Sequence, residues 1–167
     1  MAILPVRIYG QAVLRQKAEA VKEMSGEVKK LVADLKDSLH YHQGVGLAAN
    51  QIGVPLRVFL AGDGKKTMAC VNPRIVRSEG TVSAEEGCLS FPEIYVDVER
   101  AARVTLEYRD EDFAVKTVEA EGLLSRCIQH ELDHLDGILL CDRAGFLSRT
   151  MMAAKLRKME KKVREAF

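Results

Sequence analysis

The segment Gln129-His130-Glu131-Leu132-Asp133-His134 carries the pattern His-Glu-x-x-His, which directs the interpretation of the whole chain. On a helix, residues four apart lie on the same face, so the imidazoles of His130 and His134 can both reach one metal ion. Glu131 is turned aside and is free to handle a proton. The segment therefore predicts a helix that carries two metal ligands and a general base.

A catalytic site of this type usually has three protein ligands, which leaves one position on the metal open for chemistry. One class of metalloprotease supplies a third His downstream, but this chain has Leu140 at that position, so the class is excluded. Another class supplies a downstream Glu, and the only Glu residues after the motif, Glu160 and Glu165, lie in a basic segment and are poor candidates. His40 and His42 are not excluded by spacing, but they receive little weight.

Cysteine is the remaining strong donor, and the chain has four cysteines. Cys88 has the most favourable context, because residues 86–92 are bounded by Gly and Pro and must be bent and accessible. Cys127, one turn before the motif, stays open as a ligand, although a cysteine on an apolar helix usually packs in the core. Cys141 lies about 10 Å beyond His134 along a continuous helix, which is too far to share an ion. Spacing alone does not choose Cys88 over all of its rivals.

Length and composition predict one soluble globular domain over residues 1–167. At 47% hydrophobic residues and a net charge of +1, the chain is neither disordered nor basic enough to indicate DNA binding. Its four cysteines do not form the dense framework of a small secreted domain, and the N-terminus lacks a secretory signal. No apolar run approaches the ~18 residues of a membrane span. We therefore expect a cytoplasmic protein without a membrane partner, or an organellar one only if a transit peptide has been removed.

The charge is concentrated at the C-terminal end of the chain. Residues 143–167 contain eight Lys or Arg residues and two Glu residues. Such a segment is most often the solvated face of a helix, and the alternative is a surface that binds an anionic partner such as RNA. Residues 143–167 are thus predicted to form a basic helical tail.

Apolar periodicity predicts the order of the helices and strands. After Ser25, a candidate N-cap, the 3.6-residue period of Val28, Leu31 and Leu35 indicates a helix that ends near Gly44. Two hairpins, a second helix from about Gly122 and a third helical segment follow. The predicted ranges are 56–61 with 68–71, 104–108 with 113–118, and 148–165 for the last helix. The fold class is α+β, with strands gathered around a central helix that carries the His-Glu-x-x-His motif.

Three segments together resemble the signature motifs of the peptide deformylase family. They are Gly-Val-Gly-Leu-Ala-Ala-Asn-Gln at residues 44–51, Glu-Gly-Cys-Leu-Ser at residues 86–90, and Gln-His-Glu-Leu-Asp-His-Leu-Asp-Gly at residues 129–137. Their content, order and spacing match the family, and the resemblance extends over nearly the whole chain. All three motifs in order form a far more specific signature than any one of them.

The resemblance implies a role for each matching residue. The implied metal ligands are Cys88, His130 and His134, and Glu131 is the implied catalytic base. The backbone N–H of Leu89 and the side-chain amide of Gln51 would face the carbonyl oxygen of the substrate. The implied substrate-binding residues are Val45, Gly46, Gly87 and Arg100. Arg126 departs from the family pattern, because it occupies a position beside the substrate side-chain pocket that is often aliphatic.

The resemblance further implies a metallohydrolase that removes the formyl group from the N-terminal formyl-methionine of new polypeptides and releases formate. Its substrates would be N-formyl-Met peptides. The clustered positive charge of the C-terminal tail adds the hypothesis that the tail docks such an enzyme on the ribosome. The cofactor would be one divalent ion per chain, Fe(II) in the cell, with Zn, Ni or Co in preparations. A general metal-dependent endopeptidase is the alternative, because it shares the His-Glu-x-x-His motif.

Overall fold

The computed structural model describes residues 2–166, which form seven strands, four α-helices and two short 3₁₀ helices (Ala12–Arg15 and Ala49–Ile52). The helices are α1 (Gly26–His42), α2 (Gly122–Leu135), α3 (Leu140–Arg143) and α4 (Phe146–Ala166). The strands are β1 (Leu47–Ala48), β2 (Val58–Gly62), β3 (Thr67–Glu79), β4 (Val82–Cys88), β5 (Phe91–Arg100), β6 (Arg103–Arg109) and β7 (Val115–Glu121). No helix within residues 2–166 is both long and apolar enough to span a membrane.

Helix α1 begins and ends close to where the sequence predicts. The hydroxyl of Ser25 caps it by accepting a hydrogen bond from the backbone N–H of Val28, at an O···N distance of 3.3 Å. Gln43, in the left-handed conformation, ends the helix. The apolar side of α1, which includes Leu31 and Leu35, packs against β1 and β2 in one part of the core.

The strands form two sheets with different roles. Five strands in the order β1-β2-β3-β6-β7 form an antiparallel sheet, and β4 and β5 form a separate antiparallel hairpin. Helix α2 packs on the large sheet, where Cys127, Ile128 and Leu135 share a buried cluster with Phe59 and other sheet residues. The β4–β5 hairpin packs its apolar side against α3 and α4 in another cluster.

Helix α2, which carries the His-Glu-x-x-His motif, stops immediately after its second histidine. Gly137 has a φ of +73° and donates its N–H to the carbonyl of His134, while Ile138 donates to the carbonyl of Asp133. These two bonds are those of a Schellman motif, in which a left-handed residue closes the end of a helix. The chain turn after α2 therefore depends on a glycine.

The predicted α+β class is confirmed, as are both predicted hairpins and the last helix. The sequence-based prediction missed the β4–β5 hairpin and interpreted residues 86–92 only as a bent, accessible segment. It also made β3 too short, because the outer half of that strand, beyond Val71, is largely exposed and lacks a continuous apolar pattern.

We expect Gly137→Ala to destabilise the protein by about 1–3 kcal/mol or more, because a non-glycine residue is strained at this φ. A Cβ atom at Gly137 would also lie 2.6 Å from the carbonyl oxygen of Arg15. Urea unfolding measures the change. Gly26→Ala is the matched control, since a Cβ there has no atom within 4 Å, and we expect no loss of stability from it. Equal stabilities for the two variants would contradict this account.

Candidate active site

Three potential metal ligands converge from two different elements. Cys88 is the last residue of β4, whereas His130 and His134 lie one turn apart on α2. One donor atom from each side chain lies within 4.8 Å of the other two, and the sulfur of Cys88 is 3.4 Å from Nε2 of His134. Among the described residues, these three form the group that could hold a metal ion. Their thiolate and imidazole donors suit a divalent transition metal.

The two histidines present their ring nitrogens differently. Nδ1 of His130 donates to Oε1 of Glu86 at 2.9 Å, so Nε2 is the nitrogen left for a metal. His134 is almost fully buried, and its Nδ1 has no hydrogen-bond partner among the described residues. Burial lowers the pKa of His134 well below its usual value, and the charges of His130 and Arg100 lower it further. A lowered pKa favours the neutral imidazole that metal binding requires.

Glu131 lies between the two histidines in sequence and faces the same buried space. Its side chain is buried, and Oε2 has no hydrogen-bond partner among the described residues. Burial raises the pKa of this carboxyl group to about 7, against the opposing effect of His130 and Arg100. A carboxyl group with a near-neutral pKa and an unpaired oxygen is suited to accepting and releasing a proton.

A second buried carboxylate, Glu86, organises the charges behind the ligands. Arg100 binds it with two hydrogen bonds, at N···O distances of 2.6 and 2.9 Å, and Arg126 adds a third at 2.5 Å. Burial alone would raise the pKa of Glu86, but the hydrogen bonds from His130 and Arg100 outweigh it and lower the pKa to about 2. Glu86 is thus a permanent anion that orients His130.

The charge network continues away from the site. Arg100 also reaches Asp133 at 2.9 Å, and Arg143 binds the same carboxylate with two contacts of 3.0 and 2.8 Å. Sequence analysis predicted that Arg100 contacts the substrate. The structure does not support that role, because the guanidinium is buried between Glu86 and Asp133 and does not line the cavity beside the metal ligands.

A cavity of about 220 Å³ opens beside Cys88 and Glu131. The other predicted site residues that line it are Val45, Gly46, Gln51, Gly87, Leu89 and His130. The cavity lies between two sheet edges, since β1 is the outer strand of the large sheet and β4 pairs only with β5. An extended peptide can therefore add to either edge as a further strand.

Gly46 lets the backbone approach closely to the carboxylate of Glu131. A Cβ at this position would lie 2.8 Å from Oε1 of Glu131 and 2.6 Å from the sulfur of Cys127. Any side chain there would push Glu131 aside or fill the space next to it. Cys127 lines the cavity wall, where burial raises the pKa of its thiol to about 12. Cys127 lies outside the group of donor atoms that could share a metal ion and packs in the buried cluster next to the large sheet.

Gln51 is fixed with its amide nitrogen toward the site. Its Oε1 accepts the backbone N–H of Ala48 at 2.9 Å, and Nε2 donates to the hydroxyl of Ser90 at 3.1 Å. The same nitrogen is 3.7 Å from the sulfur of Cys88. Gln51 therefore presents a hydrogen-bond donor next to a candidate metal ligand.

Two polar residues of the site were not assigned a role from sequence. Glu86 was quoted only as part of a motif, and the hydroxyl of Ser90, fully buried, holds the Gln51 amide. The sequence signal for Glu86 was its position two residues before Cys88. Side chains alternate along a strand, so Glu86 and Gly87 point to opposite faces of it. Its partners lie up to 44 residues away in sequence and carry no local signal.

The chain is similar to known proteins over most of its length. Residues 3–150 match the polypeptide deformylase family. A peptide deformylase of Rhizobium meliloti is 41% identical, with 96% of each chain covered, and one of Desulfitobacterium hafniense is 45% identical, covering 89% of this chain and 99% of that one. The crystal structure of peptide deformylase from Thermus thermophilus superimposes with a TM-score of 0.90 at 40% identity, covering 96% of this chain and 99% of that one.

If Cys88 is a ligand, Cys88→Ser should bind Co(II) at least tenfold more weakly, because the alcohol is a far poorer donor than a thiolate. It should also lose the thiolate-to-cobalt absorption band. Cys141→Ser is the matched control, because Cys141 is buried outside the ligand group and should leave the titration unchanged. A normal band in Cys88→Ser, or its loss in Cys141→Ser, would contradict the assignment.

Proposed function

Because the chain belongs to the polypeptide deformylase family and hydrolyses the N-formyl group of nascent polypeptides, we propose that Cys88, His130 and His134 hold its single divalent metal ion. The observation that carries the proposal is the convergence of their donor atoms within 4.8 Å, with the unpaired carboxylate oxygen of Glu131 next to them. When bound, such an ion supplies Lewis-acid chemistry: it acidifies water and withdraws charge from a carbonyl oxygen. The remaining steps depend on the residues of the chain.

We propose that Glu131 is the general base and then the general acid. Its carboxylate takes the proton of the attacking water and later delivers it to the departing amine nitrogen as the formyl C–N bond breaks, leaving formate and a free N-terminus. A positioned acid or base of this kind contributes about 10²- to 10⁴-fold to the rate. The buried setting of Glu131 keeps bulk water from competing for that proton.

Gln51 and Leu89 are proposed to stabilise the developing oxyanion. As the formyl carbon becomes tetrahedral, its oxygen gains negative charge and requires donors already in place. The Gln51 amide is fixed by Ala48 and Ser90, so it does not have to reorganise during the reaction. Loss of one such donor costs about 3–4 kcal/mol in comparable sites.

The substrate is proposed to bind as an added strand between the backbones of Gly46 and Gly87. Main-chain hydrogen bonds do not depend on the peptide's side chains beyond that of its first residue. This suits an enzyme that must accept many nascent sequences. Gly46 keeps its wall of the cavity low, since a Cβ there would lie 2.8 Å from Oε1 of Glu131. Gly87 lines the opposite wall, and a Cβ on it would meet the ring of Tyr95, which does not line the cavity. Val45 would contribute to the same pairing from its place in the cavity wall.

The alternative of a general endopeptidase is not supported. The family match points to deformylation, and a downstream Glu ligand of the protease type is not at the site: Glu160 instead accepts a hydrogen bond from the hydroxyl of Tyr9 at 2.9 Å. Leu140, where the other protease class has its third His, is buried in a core cluster.

Glu131→Gln should lower formate release from formyl-Met-Ala by roughly 10²- to 10⁴-fold, because the amide keeps the shape of the carboxylate but cannot accept the proton. Metal content should stay at one ion per chain, since Glu131 is not a ligand in this scheme. Glu119→Gln, an exposed change on β7, is the matched control. Activity of Glu131→Gln within a few-fold of wild type, with metal bound, would refute the assigned role.

We propose Fe(II) as the ion held in the cell. A site with one thiolate and two imidazoles binds iron, cobalt, nickel or zinc, so the order of metal affinities alone does not identify the ion. The proposal predicts that a preparation exposed to air loses formate release and that Ni(II) or Co(II) restores it. Full activity of the zinc form alone, insensitive to air, would argue against iron.

We also propose that the basic helix α4 docks the enzyme on the ribosome in the cytoplasm, close to emerging formylated chains. The support is the positive charge of residues 143–167, which complements the phosphates of RNA. On the opposite side, Met152 and Val163 of α4 are buried. Deleting the tail would therefore damage packing as well as remove charge.

Charge reversal is for that reason the sharper test. Lys155→Glu, Lys158→Glu and Lys162→Glu together alter exposed positions of α4 and should weaken ribosome binding, more strongly at low salt. Peptide deformylation in solution should be unchanged. The matched control reverses two exposed lysines elsewhere, Lys22 and Lys29. Co-sedimentation with ribosomes that is equal for both variants would refute docking through α4.

A further inference from the structure

The spacing of the proposed metal ligands depends on how two separate parts of the fold are joined. Cys88 belongs to the β4–β5 hairpin, and the histidines belong to α2. Within residues 2–166, the buried apolar residues of the two parts fall into different clusters. The buried residues of α2 cluster with the large sheet, whereas Phe91, Ile94, Val96 and Val98 of the hairpin cluster with residues of α3 and α4.

Polar contacts cross this boundary, and Arg126 makes three of them from a single side chain of α2. Its Nη1 donates to the carboxylate of Glu86 at 2.5 Å and to the carbonyl of Val98 at 2.8 Å. Its Nη2 donates to the carbonyl of Val82 at 2.7 Å. Glu86 and Val82 lie on β4, and Val98 lies on β5, so one guanidinium binds both strands of the hairpin to the helix.

Arg126 also lines the catalytic cavity, which raises the question of whether its charge serves the substrate. The side chain is only 13% exposed, and three of its five N–H groups are already used by acceptors of this chain. Its charge is paired with the permanently ionised Glu86. Arg126 is thus a fixed part of the cavity wall, and its charge is already paired within the chain.

We infer that Arg126 is a positioning residue that fastens the β4–β5 hairpin to α2 and thereby sets the distance between Cys88 and the two histidines. The inference rests on the proposed function, because it takes these three residues as the metal ligands. It assigns Arg126 two linked effects. The contacts with Val82 and Val98 hold the strand that carries Cys88, and the contact with Glu86 holds the carboxylate that orients His130.

The test is Co(II) binding by Arg126→Leu, which keeps an apolar stem and removes all three contacts. We expect Co(II) affinity to fall by about 10- to 100-fold, as is typical when the groups that orient metal ligands are removed. The thiolate-to-cobalt band should shift, because Cys88 is no longer held at its distance from the histidines. Arg103→Leu is the matched control: it removes an exposed ion pair with Glu121 on the large sheet and should change neither quantity.

Arg126→Lys is a second variant that tests whether poor folding of Arg126→Leu explains its effect on metal binding. An ammonium group can keep the charge next to Glu86 but cannot reach that carboxylate and both carbonyls at once, so its Co(II) affinity should be intermediate. The inference fails if Arg126→Leu or Arg126→Lys melts at a lower temperature yet binds Co(II) with wild-type affinity and spectrum. It also fails if Co(II) binding is unchanged and only the KM for formyl peptides rises, since that would make Arg126 a substrate contact.

These outcomes are distinct from failure of the proposed function. A wild-type chain that shows no thiolate-to-cobalt band would remove Cys88 from the ligand set and with it the premise. A wild-type band that persists unchanged in Arg126→Leu would leave the metal site intact and overturn only the role of Arg126.

Discussion

The rest of the site depends on the ion pairs and hydrogen bonds that the buried carboxylate of Glu86 makes. An isolated anion in a protein interior is strongly unfavourable, so it must be paired and fully hydrogen-bonded. Arg100, Arg126 and His130 satisfy it from three directions. Removing one partner from a buried cluster of this kind typically costs about 3–5 kcal/mol, because the charge left behind has no compensation. These contacts therefore stabilise the arrangement of the hairpin and α2 in which the charge of Glu86 is fully paired.

A small fold thereby places the candidate metal site next to an open cavity. The thiolate comes from a strand end and the imidazoles from a helix, so the ligands meet where the hairpin approaches the helix. Strands β1 and β4 are edge strands, and residues of β4 and of the segment just before β1 line the cavity at the same junction. Glu86 and Arg126 pair their charges in the wall of the cavity, and the carboxylate of Glu131 lines the same cavity.

The parts of the site that sequence could predict are those set by local spacing. His130, Glu131 and His134 follow from the His-Glu-x-x-His motif, whose spacing puts both histidines on one face of a helix. Gly137 marks the end of that helix because a left-handed residue is needed there. The assignment of Cys88 as the third ligand required the family resemblance, since spacing left Cys127 as an alternative. The β4–β5 hairpin was missed although Ile94, Val96 and Val98 alternate with exposed residues, because the Gly and Pro of residues 86–92 suggested a loop. The position of Arg100 was beyond local reasoning, because its partners, Glu86 and Asp133, are 14 and 33 residues away.

The central claim is that one sulfur and two nitrogen donors hold the ion while Glu131 stays free beside it. X-ray absorption spectroscopy of the Ni(II)- or Co(II)-loaded protein tests this most directly, because it counts ligand types at the metal. The account predicts one sulfur from Cys88, two imidazole nitrogens from His130 and His134, and no carboxylate of the chain. A spectrum without sulfur, or one unchanged in Cys88→Ser, would contradict it.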